Sequence, residues 1–68
     1  MDALQKESQR GIINDKLARL AKAIAGQEAE VSRARSNGDT GRLATAQRLL
    51  NDMLADQERL RGALAALN

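Results

Sequence analysis

The sequence contains no cysteine, histidine, proline or aromatic residue. Without cysteine or histidine there is no disulfide, no thiolate nucleophile, no imidazole base and no ordinary zinc site. We therefore expect no enzymatic activity, no catalytic residue, no metal or cofactor and no small-molecule substrate. Only six of the 68 residues are β-branched, whereas thirteen are alanine and ten are leucine. This composition favours helices over a sheet, and the length allows a single domain with a thin core.

Long apolar runs and concentrated charge are also lacking. No apolar run approaches the roughly 18 residues that span a bilayer, and the N-terminus lacks the basic start and apolar stretch of a signal peptide. We expect a soluble cytoplasmic protein that makes no membrane contact. The eleven basic residues are interrupted throughout by nine acidic ones, and no aromatic side chain is available to stack on bases. These two features argue against nucleic-acid binding, and they leave a small RNA-binding bundle as the least favoured alternative.

One stretch in the middle of the chain is rich in turn-forming residues. It reads Ser36-Asn37-Gly38-Asp39-Thr40-Gly41. Gly38 is suited to the left-handed conformation that ends a helix, and Asp39 or Thr40 can accept hydrogen bonds from the first amides of the next helix. The sequence therefore predicts a turn between two helices over residues 36–40.

Apolar residues follow a seven-residue repeat on both sides of this turn. The position-a residues are Leu17, Ile24 and Val31 before the turn and Leu43, Leu50, Gln57 and Leu64 after it. The position-d residues are Ile13, Leu20, Gln27 and Ala34 before it and Ala46, Met53, Leu60 and Leu67 after it. Such a repeat indicates helix-on-helix packing. Gln27 and Gln57 either select the register of the helices or reach solvent at the edge.

The two repeats match each other when the chain folds back on itself. Residue numbers that sum to 77 pair an a residue with a d residue in every layer. The layers are Ala34–Leu43, Val31–Ala46, Gln27–Leu50, Ile24–Met53, Leu20–Gln57, Leu17–Leu60 and Ile13–Leu64. The same register brings Glu30 near Arg42 and Lys16 near Asp56. We therefore predict an all-α fold, an antiparallel coiled-coil-like hairpin of two helices.

The hairpin is expected to form one domain over residues 1–68. The first helix should occupy residues 12–35 and the second residues 41–67. Lys6 and Arg10 fall at core positions of the repeat, and Gly11 follows them. We therefore expect residues 1–11 to form a short or frayed segment.

The second helix carries more apolar side chains than one partner helix covers. Leu49, Leu50, Met53 and Leu54 form a broad apolar band, and the first helix offers the small residues Ala21 and Ala25 at that level. Either the extra leucines pack on the edges of a broad core, or they bind another chain. In the second case the hairpin is completed by an amphipathic helix of another protein or by a second copy in a four-helix bundle. We take these six residues as the candidate partner-binding surface.

The opening Met1-x-Ala3-Leu4, the turn Arg35-Ser36-Asn37-Gly38-Asp39 and the second-helix pattern of Gln47 followed by Leu60-x-x-x-Leu64 resemble a known family. They are similar to the small helical-hairpin co-chaperones of type III secretion needle subunits. This resemblance implies a bacterial cytosolic protein that acts with a second chaperone to keep the needle subunit from polymerising before export. Needle subunits are themselves short helical hairpins, so the exported subunit is an alternative. A homodimeric structural or regulatory bundle is another alternative.

Overall fold

The computed structural model describes residues 2–67, which form two α-helices and no strand. Helix α1 spans Asp2–Ser36 and helix α2 spans Thr40–Ala66. The helices lie antiparallel in a rod of 55 × 15 × 11 Å. The predicted all-α hairpin is confirmed, and the second helix begins and ends within one residue of the predicted bounds.

The turn is short because its backbone groups are satisfied locally. Gly38 has a φ of 67°, and its N–H donates to the carbonyl of Arg35, while the N–H of Asp39 donates to that of Ala34. This pair of bonds is a Schellman motif, in which a left-handed glycine ends a helix. The Asp39 side chain then accepts a hydrogen bond from the backbone N–H of Arg42 at 3.1 Å, as an N-cap does.

The predicted register agrees with the burial pattern. Every a and d position from Arg10 to Leu67 is buried or half-buried, and Glu30 is the only other described residue that is not exposed. We call this strip of a and d residues the seam. The buried part lies in the half of the seam nearer the turn and comprises Ile24, Val31, Ala34 and Ala46. The core is therefore thin.

Gln27 is half-buried and spans the seam. Its Nε2 donates a hydrogen bond to the carbonyl of Ala46 at 3.0 Å. The bond ties the two helices together within the buried part of the seam, between the layers of Ile24 and Val31, as expected of a polar residue that favours one register.

The expectation of a short or frayed segment over residues 1–11 is wrong for residues 2–11, because α1 is regular from Asp2 onward, while Met1 lies outside the described residues. Arg10 continues the seam: its Nη2 donates to the carbonyl of Leu67 at 3.3 Å, which joins two residues whose numbers also sum to 77. A Cβ built on Gly11 meets nothing within 4 Å, so the helix passes through this residue without a steric conflict. About eight residues of α1 extend beyond the end of α2, a projection of roughly 12 Å.

Candidate functional site

The six candidate partner-binding residues differ in exposure. Leu49 is 48% exposed and Leu54 is 40% exposed. Leu50 and Met53 are half-buried in the seam, while Ala21 and Ala25 are exposed. The two leucines outside the seam are thus not covered within one copy of the chain.

Leu49 and Leu54 lie on opposite sides of the seam. They are five residues apart, which at about 100° per residue separates their directions by about 140° around the helix. The direction midway between Leu50 and Met53, which points toward the seam, falls between the directions of Leu49 and Leu54. One straight helix cannot cover both leucines, so the band predicted from the sequence divides into two surfaces.

We call the first surface the Leu49 face. It contains the outward positions next to the d residues, namely Gln9, Ile12, Lys16, Arg19, Ala23, Gly26, Glu30 and Arg33 of α1 and Arg42, Thr45, Leu49, Asp52, Asp56, Arg59, Ala63 and Ala66 of α2. The opposite surface is the Leu54 face. It contains the outward positions next to the a residues, namely Gly11, Asn14, Ala18, Ala21, Ala25, Glu28, Ser32 and Arg35 of α1 and Ala44, Gln47, Asn51, Leu54, Glu58, Arg61 and Ala65 of α2.

Two open grooves lie on the Leu49 face. The larger, of about 500 Å³, has an apolar floor of Leu20, Ala23 and Leu60, and its rim is formed by Lys16, Arg19, Asp56 and Arg59. The smaller, of about 280 Å³, is lined by Gln9, Ile12, Ile13, Ala63 and Leu67. Lys16 and Asp56 therefore share a groove, as the register predicted, although the carboxylate of Asp56 is paired with Arg59 on its own helix.

The turn end of the Leu49 face carries an ion-pair cluster. Glu30 accepts hydrogen bonds from Nε of Arg42 at 2.5 Å and from Nη2 of Arg33 at 3.0 Å. The bond from Arg42, and next that from Arg33, lowers the pKa of the Glu30 carboxyl below its ordinary value. The same contact with Glu30 raises the pKa of Arg42. The cross-helix pair that the register predicted is thus present.

The Leu54 face carries fewer charged residues than the Leu49 face. On α1, Ala18, Ala21 and Ala25 are exposed at a spacing that places them along one stripe. On α2, Leu54 stands beside the half-buried Leu50. Small side chains next to a protruding leucine allow the backbone of another helix to approach closely.

Sequence reasoning did not single out the exposed apolar residues of the N-terminal half of α1. Leu4 is 78% exposed and Ile12 is 54% exposed. Ile12 lies in the smaller groove, next to Ile13 of the seam. The seven-residue repeat, extended from Ile13 back to Arg10, would have placed Ile12 on the same side as Leu49.

The chain was compared with protein-family models, with curated proteins and with solved structures, and nothing matched. Neither described helix combines the length and the apolar character that a membrane span requires. Within residues 2–67, no group of three or more acidic, histidine or cysteine side chains is placed to hold a metal ion.

Proposed function

We propose that this protein is a non-enzymatic interaction module that binds an amphipathic helix of another protein along its Leu54 face. The observation that carries the proposal is the 40% exposure of Leu54 beside the half-buried Leu50 and opposite the alanine stripe of α1. An incoming helix can place large apolar side chains over Ala21 and Ala25 and against Leu54. It thereby forms a third helix of the bundle.

Energetics favour such a role. Only four described residues are buried as an apolar core, so one copy has little burial to offset the conformational entropy of folding. Fully covering a leucine side chain stabilises the covered state by about 1.5–3 kcal/mol. A partner that binds only the folded hairpin therefore also stabilises it against unfolding.

The resemblance to needle-subunit co-chaperones gives the proposal a specific form. In that form the protein is bacterial and cytoplasmic, and it works with a second chaperone to keep the needle subunit from polymerising. In that form, the Leu54 face is the surface that covers a helix of the needle subunit. The exported subunit itself remains the alternative on this resemblance.

The test is co-purification from the native host with tagged wild-type protein and two single variants. We expect mass spectrometry to identify a helical partner with the wild type, and sizing to give a defined complex. Leu54→Ser should lose at least tenfold of the captured partner, since it places a hydroxyl where an apolar side chain is covered. Ala55→Ser is the matched control, because Ala55 is the neighbouring exposed residue and lies on neither face.

Circular dichroism of the purified variants should show equal helix content, so that loss of capture is not loss of folding. A Leu54→Ser variant that captures the same partner as the wild type would contradict the proposed surface. Capture that fails with both variants would also contradict the proposal, because the loss would then not be specific to the Leu54 face.

A further inference from the structure

We infer that the two grooves of the Leu49 face bind an acidic amphipathic helix of another protein. This helix places one apolar side chain in each groove and its carboxylates against the cations at the rim of the larger groove. The inference goes beyond the proposed function, because it concerns the opposite face and a partner of defined charge. The location of the net charge and the spacing of the grooves support it.

The net charge of the chain is located at the larger groove. The chain has eleven basic and nine acidic residues. The rim of this groove carries three of the basic residues, Lys16, Arg19 and Arg59, and one acidic residue, Asp56. The other eight basic and eight acidic residues balance, so the formal net charge of +2 lies at the groove. An anionic partner is therefore attracted to this part of the surface.

Lys16 and Arg19 carry this excess charge. The third cation, Arg59, pairs with Asp56 on its own helix. Within residues 2–67, neither Lys16 nor Arg19 makes an ion pair. Both residues are exposed and border the apolar floor of the groove. A carboxylate of a partner can therefore pair with either cation without breaking an ion pair of the hairpin.

The smaller groove supplies an uncharged second contact. None of the described residues that line it is charged, and its Ile12 is 54% exposed. Residue n of α2 lies level with residue 77 minus n of α1, as the bond between Arg10 and Leu67 shows. On that scale the two sets of lining residues are centred about seven residues, or roughly 11 Å, apart. Two turns of a helix span the same distance, so one helix can place an apolar side chain in each groove.

The order of charges along the face specifies where the carboxylates of the partner lie. Lys16, Arg19 and Arg59 lie within about three residues of one another along the hairpin, on the side of the larger groove nearer the smaller one. Asp56 and then Asp52 follow toward the turn. The partner helix accordingly carries its acidic residues between its two apolar side chains. An anionic membrane or an RNA backbone presents negative charge at every level, and would also meet the two aspartates.

The experiment is a titration of the ¹⁵N-labelled full chain with a synthetic helical peptide, followed by amide chemical shifts. The peptide has about 15 residues, with two leucines about two helical turns apart, glutamates between them and alanine elsewhere. The control peptide has glutamine in place of each glutamate. The acidic peptide should shift the amides of Ile12, Lys16, Arg19, Ala23 and Ala63 saturably. It should bind about tenfold more tightly than the control peptide.

A pair of charge variants tests whether the groove, and not the net charge, attracts the peptide. Lys16→Gln/Arg19→Gln should weaken binding about tenfold, because both unpaired cations are removed. Lys22→Gln/Arg48→Gln is the matched control, since Lys22 and Arg48 are exposed and lie on neither face. Both double variants have a formal net charge of zero. The control should change binding by less than about threefold.

A second pair of variants tests the apolar contact. Ala23→Gln places a longer polar side chain on the floor of the larger groove and should weaken binding about fivefold. Ala29→Gln makes the same change at an exposed residue on the outer side of α1 and should leave binding unchanged. Circular dichroism should show equal helix content for all variants, because every substituted residue is exposed.

The inference is overturned if the acidic peptide causes no saturable shift up to millimolar concentration, if the glutamine peptide binds equally well, or if both charge variants lose binding equally. Tighter binding to phosphatidylserine vesicles or to single-stranded RNA, lost in Lys16→Gln/Arg19→Gln, would overturn it in favour of a membrane or a nucleic acid. Groove shifts that depend on the concentration of the chain alone would do so in favour of a second copy. Leu54→Ser should leave peptide binding unchanged, so failure here leaves the proposed function to be judged by partner capture.

Discussion

Nε2 of Gln27 donates a hydrogen bond to the carbonyl of Ala46 across the seam, at 3.0 Å. Ala46 is 3% exposed and belongs to the buried part of the seam. The bond joins a polar side chain of α1 to the backbone of α2 in the half of the seam nearer the turn, whereas the bond from Arg10 to Leu67 does so at the open end. It can form only when the two helices hold the register in which Gln27 faces Leu50.

Replacing Gln27 with alanine should lower the free energy of unfolding by about 1 kcal/mol, the net value of one such hydrogen bond. Urea unfolding followed by circular dichroism at a fixed protein concentration measures the change, since the chain has no aromatic residue to serve as a fluorescent reporter. Gln47→Ala is the matched control, because Gln47 is exposed. Equal stabilities of the two variants would show that the bond contributes nothing.

The register could be predicted from the sequence because the apolar repeat and the turn agree. The a and d positions also pair when the sum of residue numbers is shifted by seven, but only the sum of 77 places the midpoint of the fold inside the turn over residues 36–40. Glu30 and Arg42 then meet without further assumption, and the structure pairs them at 2.5 Å. The two apolar repeats and the glycine-containing turn were thus sufficient to predict most of the fold.

The sequence did not predict that α1 begins at Asp2, because Arg10 interrupts the apolar repeat and was therefore taken to lie outside the regular helix. Arg10 occupies a seam position, where its aliphatic stem lies against the end of α2 and its guanidinium bonds the carbonyl of Leu67. The division into two faces was missed for a different reason. Leu49 and Leu54 are close in sequence, but helical geometry directs them to opposite sides of the seam.

Arg10→Ala should loosen the open end of the hairpin and lower the free energy of unfolding by about 1 kcal/mol. The effect is limited because Nε of Arg10 is buried with no hydrogen-bond partner in the described part of the chain, which offsets part of the gain from Nη2. Amide hydrogen exchange should become faster in the last turn of α2. Lys6→Ala, on the part of α1 that projects beyond α2, should change neither quantity.

Replacing Gly38 and replacing Gly11 with alanine should change the free energy of unfolding in opposite directions. Gly38→Ala should lower the free energy of unfolding by about 1–2 kcal/mol, because alanine is strained at the φ of 67° found there. The added Cβ meets no atom within 4 Å, so the loss comes from the backbone alone. Gly11→Ala, within the helix, should instead stabilise the protein by about 1 kcal/mol. A loss at both positions would contradict the regular helix through Gly11.

Lowering the pH should destabilise the turn end of the hairpin, because Glu30 becomes protonated and loses its charge. Its pKa in the folded chain lies below the ordinary value of 4.5 because the carboxylate accepts hydrogen bonds from Arg42 and Arg33. A carboxyl with a lowered pKa contributes stability that is fully present above its unfolded-state pKa and is lost as the pH falls through its folded-state pKa. The urea midpoint should therefore begin to fall as the pH drops below about 5.

Glu30→Gln isolates this contribution from the titration of the other carboxylates. The variant should be less stable than the wild type at neutral pH, and the difference should shrink as the pH falls toward 3. The difference should also be smaller at high salt, since the Glu30 side chain is 24% exposed and that of Arg42 is 52% exposed. A difference between the two proteins that stays constant from neutral to acidic pH would show that the charge of Glu30 does not stabilise the hairpin.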